Sequence, residues 1–141
     1  MADIVFCSSV IEHVSIDEKT SWEIYSGKKF SKKAFERQRK FAKEIARVGK
    51  KYFVQTPNKY FPYDPHMRLP LINYLPRPVL LLILKFIKKY RLFRRSRMSR
   101  YIPTCNLLGN KEMKNLFPDS IIIKEKYIFI VKSLIAVRNA A

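Results

Sequence analysis

Glycine is scarce in this sequence. The 141 residues hold three, Gly27, Gly49 and Gly109. They are too dispersed to build a glycine-rich turn around a phosphate, and no P-loop is present. Cysteine is scarcer still. Cys7 and Cys105 make neither a disulfide framework nor a four-ligand zinc site, and no residue set is assigned to a metal. Acidic residues are few, 11 Asp and Glu against 29 Lys and Arg, for a formal net charge of +18. That balance excludes an acidic chaperone or an acidic tail protein. It suits an anionic partner such as nucleic acid, an anionic membrane face or a phosphorylated substrate. Paired carboxylates for glycosidic chemistry are missing, and so is a Ser–His–Asp set at workable spacing.

Long apolar runs are also lacking. The most apolar stretch, Pro78-Val-Leu-Leu-Leu-Ile-Leu-Lys-Phe-Ile87, contains a lysine and runs straight into Lys88 and Lys89. It is about half the ~20 residues that a spanning helix needs. Asp3 and the polar residues after Val14 spoil a signal-peptide core. The expected location is therefore cytoplasmic, with peripheral membrane contact allowed by the basic charge.

What is present is an α/β pattern in one domain's length of chain. Hydrophobic residues make up 48%, enough for a real core. Asp3-Ile-Val-Phe-Cys-Ser-Ser-Val10 reads as a buried strand of the parallel-sheet kind. Residues 31–50 read as a helix. Ala34, Phe35, Gln38, Phe41, Ala42, Ile45 and Val48 recur at helical spacing, Ser31 is the expected cap, and Gly49 closes the end. Residues 51–55 are a second strand, ended by Pro57. Six prolines fall from Pro57 to Pro78, among aromatics, which predicts an ordered loop. A helix is expected over 79–93 and another over 111–117 with Asn110 as cap. Two last strands, 120–124 and 127–137, are expected to be separated by Glu125-Lys126.

These residues resemble a known family. Asp3-Ile-Val-Phe-Cys-Ser-Ser-Val-Ile-Glu-His-Val14 is similar to the fourth-strand motif of class I S-adenosylmethionine-dependent methyltransferases. Arg47-Val-Gly-Lys-Lys-Tyr-Phe-Val-Gln-Thr-Pro-Asn58 resembles their fifth strand and the loop after it. Tyr60-Phe-Pro-Tyr-Asp-Pro-His66 looks like the extension of one subgroup. Leu107 to Pro118 and Lys132-Ser-Leu-Ile-Ala-Val137 resemble its last helix and closing strand. The resemblance implies a partial Rossmann-like sheet, the fourth to seventh strands, mostly parallel with one antiparallel strand and flanked by helices. It implies one incomplete domain over 1–141, with 59–105 as an inserted Pro/aromatic loop and basic helix. The family's glycine-rich turn and its acidic ribose clamp have no counterpart here. Residues 3–9 are therefore expected at an open sheet edge, and weak or absent cofactor binding by the chain alone is expected. Poor solubility, self-association or a partner supplying the missing strands is expected with it.

The resemblance also proposes site residues. Ser8 and Ser9 would lie beside the methionine part of the cofactor, S-adenosylmethionine. His13 is the candidate base for removing a proton from the methyl acceptor, and Glu12 beside it has a separate task. Asn58, Tyr60 and His66 are candidates for binding the substrate, whose identity the sequence does not name. Each has a plainer alternative: a strand-end hydroxyl, a cap, a turn residue or an aromatic packed over the sheet. Cys7 reads as a small buried hydrophobe. Cys105 has no role in this reading. A different class of function is carried by residues 77–100, where nine Lys and Arg interleave with apolar and aromatic residues. That segment suits a small basic protein that binds anionic membrane or nucleic acid.

Overall fold

The computed structural model describes residues 1–63, 70–89 and 104–139. Four strands form one mixed sheet: β1 (Ala2–Ser8), β2 (Gly49–Pro57), β3 (Ile121–Tyr127) and β4 (Ile130–Arg138), in the order β1-β2-β4-β3. β1 and β2 are parallel, and β4 is antiparallel to both β2 and β3. Three strands thus run one way and β4 alone runs the other. The chain is α/β, with helices against the sheet.

The long helix α2 (Gly27–Val48) makes the crossover from β1 to β2. It starts a turn earlier than the apolar spacing predicts, because Ser26, not Ser31, accepts the Lys29 amide hydrogen at its N-terminus. The buried stripe is Phe30, Ala34, Gln38, Ala42 and Ile45. Gly49 ends the helix and opens β2 at once. A Cβ there would lie 2.7 Å from Val5 Cγ2 and 2.8 Å from the Lys51 carbonyl oxygen, so the chain turns where only hydrogen fits.

The helix α4 (Asn110–Leu116) lies on the same side of the sheet as α2. Its N-cap is Gly109 rather than Asn110. Glu112 Oε2 accepts the Gly109 amide hydrogen at 2.7 Å and satisfies the helix start. Between these helices and the sheet sits the main core: Cys7, Ile11, Ile45, Tyr52, Val54, Leu108, Met113, Phe117, Leu134 and Ala136. Each large apolar side chain so buried is worth roughly 1.5–3 kcal/mol before entropy is subtracted. A polar clamp holds the sheet's far end. Tyr52 Oη donates to Asp119 at 2.7 Å, and Arg138 bonds to Asp119 and to the Ala46 and Gly49 carbonyls.

Two smaller clusters surround the N-terminal half of α2. The short helix α1 (Glu18–Glu23) is capped by Asp17, whose side chain accepts the Thr20 amide hydrogen. Ile16 and Ile24 pack there against Phe30 and Ala34. The helix α3 (Arg77–Lys89) sets Leu84 against Ile72 and Trp22. Arg77 links the clusters: its guanidinium lies 3.4 Å from the Phe30 ring centroid and donates to the Ser21 and Ile24 carbonyls. Residues 59–63, 70–89 and 104–105 are the described part of the 59–105 region, and they include this helix. The end of the predicted 79–93 helix, beyond Lys89, lies outside the described residues, and so do residues 90–100 of the basic segment.

The last two strands differ from the sequence expectation. β3 continues through Glu125 and Lys126, which form a register shift against β4, and the turn falls at Ile128 and Phe129. Polar residues marked a break, but an irregular ladder absorbs them. Ile128 takes a φ of 57°, a left-handed conformation rare for a β-branched residue.

β1 also departs from its expectation. Of its seven residues only Cys7 is buried. Directly paired residues share a sheet face. One row across all four strands is Phe6, Phe53, Val137 and Ile121. The next holds Ser8, Gln55, Ile135 and Ile123. Phe6 and Phe53 stack at 5.1 Å. Yet Ile4 is 66% exposed, Phe6 71%, Ile121 71% and Ile123 49%. No described helix covers this face. The β-branched, apolar composition is that of a strand with two buried faces, and here one of them is bare. β1 is also at the end of the sheet, as the resemblance implies, and its outer edge pairs with no described strand.

Candidate functional site

In open α/β sheets, ligands bind beyond the carboxyl ends of parallel strands. β1 ends at Ser8, in register with Gln55, and β2 runs on to Pro57, so their carboxyl ends lie side by side. The Ser8 hydroxyl donates to Gln55 Oε1 at 3.2 Å, and the Ser9 amide donates to the Gln55 carbonyl at 2.9 Å. Ser9 takes a positive φ of 53°, so the chain turns sharply off the strand.

A 3-10 turn, Ile11–His13, follows and sends its side chains apart. Glu12 is fully buried, and its Oε2 accepts the Thr56 hydroxyl hydrogen at 3.0 Å. That bond ties the end of β1 to the end of β2. His13 is exposed, and its Nδ1 lies 3.3 Å from Cys105 Sγ. Adjacent in sequence, the two residues thus belong to different surroundings.

The segment carrying Cys105 is pinned beside this turn. The Asn106 amide donates to the Glu12 carbonyl at 2.9 Å. The buried Gln38 amide group donates to the Ile11 carbonyl at 3.0 Å and to the Asn106 carbonyl at 2.9 Å. The Asn106 side chain returns a bond to Gln38 Oε1 at 2.9 Å. Sequence reasoning missed Thr56, Asn106 and this use of Gln38. One signal was available, a glutamine within an apolar helical stripe, since a buried amide must be satisfied.

Asn58 ends β2. Its side chain donates to the Val131 carbonyl at 2.8 Å and accepts from the Tyr60 amide. Its polar atoms serve the turn after the strand. Tyr60 is exposed, and its carbonyl accepts from the Tyr74 hydroxyl at 2.7 Å. His66 lies outside the described residues. The structure therefore brings Ser8, Ser9, Glu12, Thr56 and Asn58 to one end of the sheet, with His13 and Cys105 on the rim.

A cavity of about 350 Å³ opens beside the rim, walled by Cys105, Asn106, Lys59, Arg77, Phe30 and Ile72 among others. Its charged lining residues are basic. The two thiols of the chain differ sharply in setting. Cys7 is buried on β1, and burial, with Glu12 nearby, pushes its thiol up from the ordinary value. Cys105 is partly exposed and next to an imidazole.

Among the described residues no group of three or more His, Cys, Asp or Glu is placed to hold a metal. No described helix is long and apolar enough to cross a membrane. None of the protein-family models, curated proteins or solved structures compared with the chain matches it.

Proposed function

We propose that the chain is the C-terminal half of a class I methyltransferase-like domain, and that it transfers a methyl group only when further strands complete its sheet. The observation that carries this reading is the pairing of an open edge with a bare face, both at β1. The α2 crossover covers one face of the sheet. Parallel crossovers are right-handed in nearly all cases. A parallel strand added outside β1 extends the sheet in the opposite direction, so its helix falls on the opposite face. That is the face carrying Ile4, Phe6, Phe53 and Ile121. The end of β1 is then a point where strand order reverses, the usual place for a ligand in such sheets.

The residues present do not fit the whole cofactor. Ser8 and Ser9 would serve its methionine side, while the described chain offers no glycine-rich turn and no acidic ribose clamp. S-adenosylmethionine supplies the methyl group on a sulfonium. In a completed domain His13, at the rim, would accept the proton of an oxygen or nitrogen acceptor. Glu12 would hold the ends of β1 and β2 in place through Thr56. The basic cavity wall favours an anionic acceptor.

The test is calorimetry with S-adenosylmethionine and S-adenosylhomocysteine. The chain alone should show no binding up to millimolar ligand. Lost hydrogen bonds to turn and clamp, each worth roughly 0.5–3 kcal/mol, cost about a thousandfold or more in affinity. A folded fusion behind the N-terminal half of a class I enzyme should bind S-adenosylhomocysteine in the micromolar range. Micromolar binding by the chain alone, or a folded fusion that does not bind, overturns the reading.

One observation favours a second reading, a basic surface binder. α3 leaves Val79, Leu82 and Phe86 exposed, with Lys88 and Lys89 in its last turn. That arrangement fits an anionic lipid interface. Flotation with vesicles of anionic against zwitterionic lipid separates the two readings.

A further inference from the structure

We propose that Cys105 and His13 form a nucleophile–base pair that undergoes thiol–disulfide exchange with small anionic disulfides. The sulfur and Nδ1 are 3.3 Å apart, within reach of proton transfer. The geometry is built rather than incidental. Asn106, next to Cys105, bonds to the Glu12 carbonyl, next to His13. Gln38 clamps both segments from the fully buried side of α2. The backbone of neither segment can shift without breaking buried hydrogen bonds, which cost roughly 1–3 kcal/mol each to leave unmade.

The surroundings select the co-reactant. Cys105 lines the cavity whose charged walls are Lys59 and Arg77. Glu12, beside His13, is turned inward to Thr56, and Glu112 pairs with Lys59 at 3.5 Å, so among the described residues the wall sets two cations against one carboxylate. A disulfide carrying carboxylates is drawn to such a wall. In the reaction His13 takes the thiol proton as Cys105 sulfur attacks one sulfur of the disulfide. A new S–S bond forms and the old one breaks. The departing thiolate keeps the electron pair of the broken bond and recovers the proton from the imidazolium. The reaction has no net redox change. Cys7, buried on β1 with its thiol pushed up, is an internal control that takes no part.

This inference stands apart from the methyltransferase reading, because neither its chemistry nor its test involves a methyl donor. The probe is 5,5′-dithiobis(2-nitrobenzoate), with oxidised glutathione as a second anionic disulfide, acting on the whole folded chain. One thiol should react quickly, about tenfold faster at pH 7 than an ordinary exposed thiol. Peptide mass analysis should place the adduct on Cys105, with Cys7 reacting only after denaturation. Cys105→Ser should abolish the fast phase. His13→Gln should slow it about tenfold at pH 7, and the deficit should shrink in alkali, where hydroxide generates the thiolate unaided. Lys59→Gln should slow the anionic probe relative to neutral dithiodipyridine. A fast phase on Cys7, or a Cys105 rate that His13→Gln leaves unchanged in a folded protein, overturns the proposal. A purely structural His13 would lower the rate equally at all pH values, which overturns it too.

Discussion

Gln38 and Asn106, 68 residues apart in the chain, are joined by two hydrogen bonds at 2.9 Å in the interior, from the Gln38 side chain to the Asn106 carbonyl and from the Asn106 side chain to Gln38 Oε1. Through the same amide group Gln38 also holds the Ile11 carbonyl. One helix residue thereby fixes both strands of chain that carry His13 and Cys105.

Replacing Gln38 by Leu keeps the volume near constant and strands the Asn106 carbonyl and the Asn106 side-chain amide, while the Ile11 carbonyl keeps the Val14 amide hydrogen. The expected loss is about 2–4 kcal/mol, from two buried polar groups at roughly 1–3 each. Urea denaturation measures it. A loss below ~1 kcal/mol would show that water replaces the amide without penalty.

Asp119 gives the fold an acid-sensitive point. Burial alone would raise its carboxyl, but hydrogen bonds from Tyr52 and Arg138 outweigh that and hold it below the ordinary 3.8. A carboxyl depressed on folding stabilises the native state above its unfolded value, and the benefit fades as pH falls through the folded value. Stability should therefore drop below pH 3.8 more steeply in the wild type than in Asp119→Asn. Melting curves from neutral pH downward would check this. Parallel slopes would remove Asp119 from the account.

Gly49 and Gly109 should respond differently to alanine. At Gly49 the new methyl meets Val5 and the Lys51 backbone at 2.7 and 2.8 Å, so the helix–strand junction must shift. The expected cost is about 1–3 kcal/mol. At Gly109 the nearest atom, at 2.6 Å, is the end of the Glu112 side chain, which can move at the cost of its bond to the Gly109 amide while the backbone stays in place. The Gly109→Ala change should cost less. Melting temperatures in reversed order would contradict the geometry.

The bare sheet face should govern association. Phe6→Lys and Ile121→Lys replace side chains that are each 71% exposed, so monomer stability should change by less than ~1 kcal/mol. Self-association, followed by sedimentation velocity, should fall sharply. The same substitutions should block completion of the domain by a supplied N-terminal half. Unaltered association in both variants would point to the β1 edge instead.

Much of the fold was legible. The apolar spacing from Ala34 to Ile45 marked α2, and β-branched runs marked the strands, because burial periodicity is written into sequence. The hairpin was misplaced because Glu125 and Lys126 look like turn residues, while Ile128, which takes the turn, looks like strand. The bare face was hidden for a related reason: sequence shows that a residue is apolar, not whether another layer lies over it. Of the site, the turn bearing Glu12 and His13 was visible as a motif. The meeting of His13 with Cys105 was not, since it depends on a long-range contact made by a loop with no periodicity of its own.

The order β1-β2-β4-β3 places the strand made last between two made earlier. During synthesis β2 and β3 must wait, unpaired with each other, until residues 130–138 emerge. The sheet cannot grow outward strand by strand; its centre is filled at the end, and Arg138 then locks the Ala46 and Gly49 carbonyls laid down long before. A chain shortened by one strand at this end would lose the middle of its sheet, not a fringe. Loss of those nine residues would leave β3 with nothing to join.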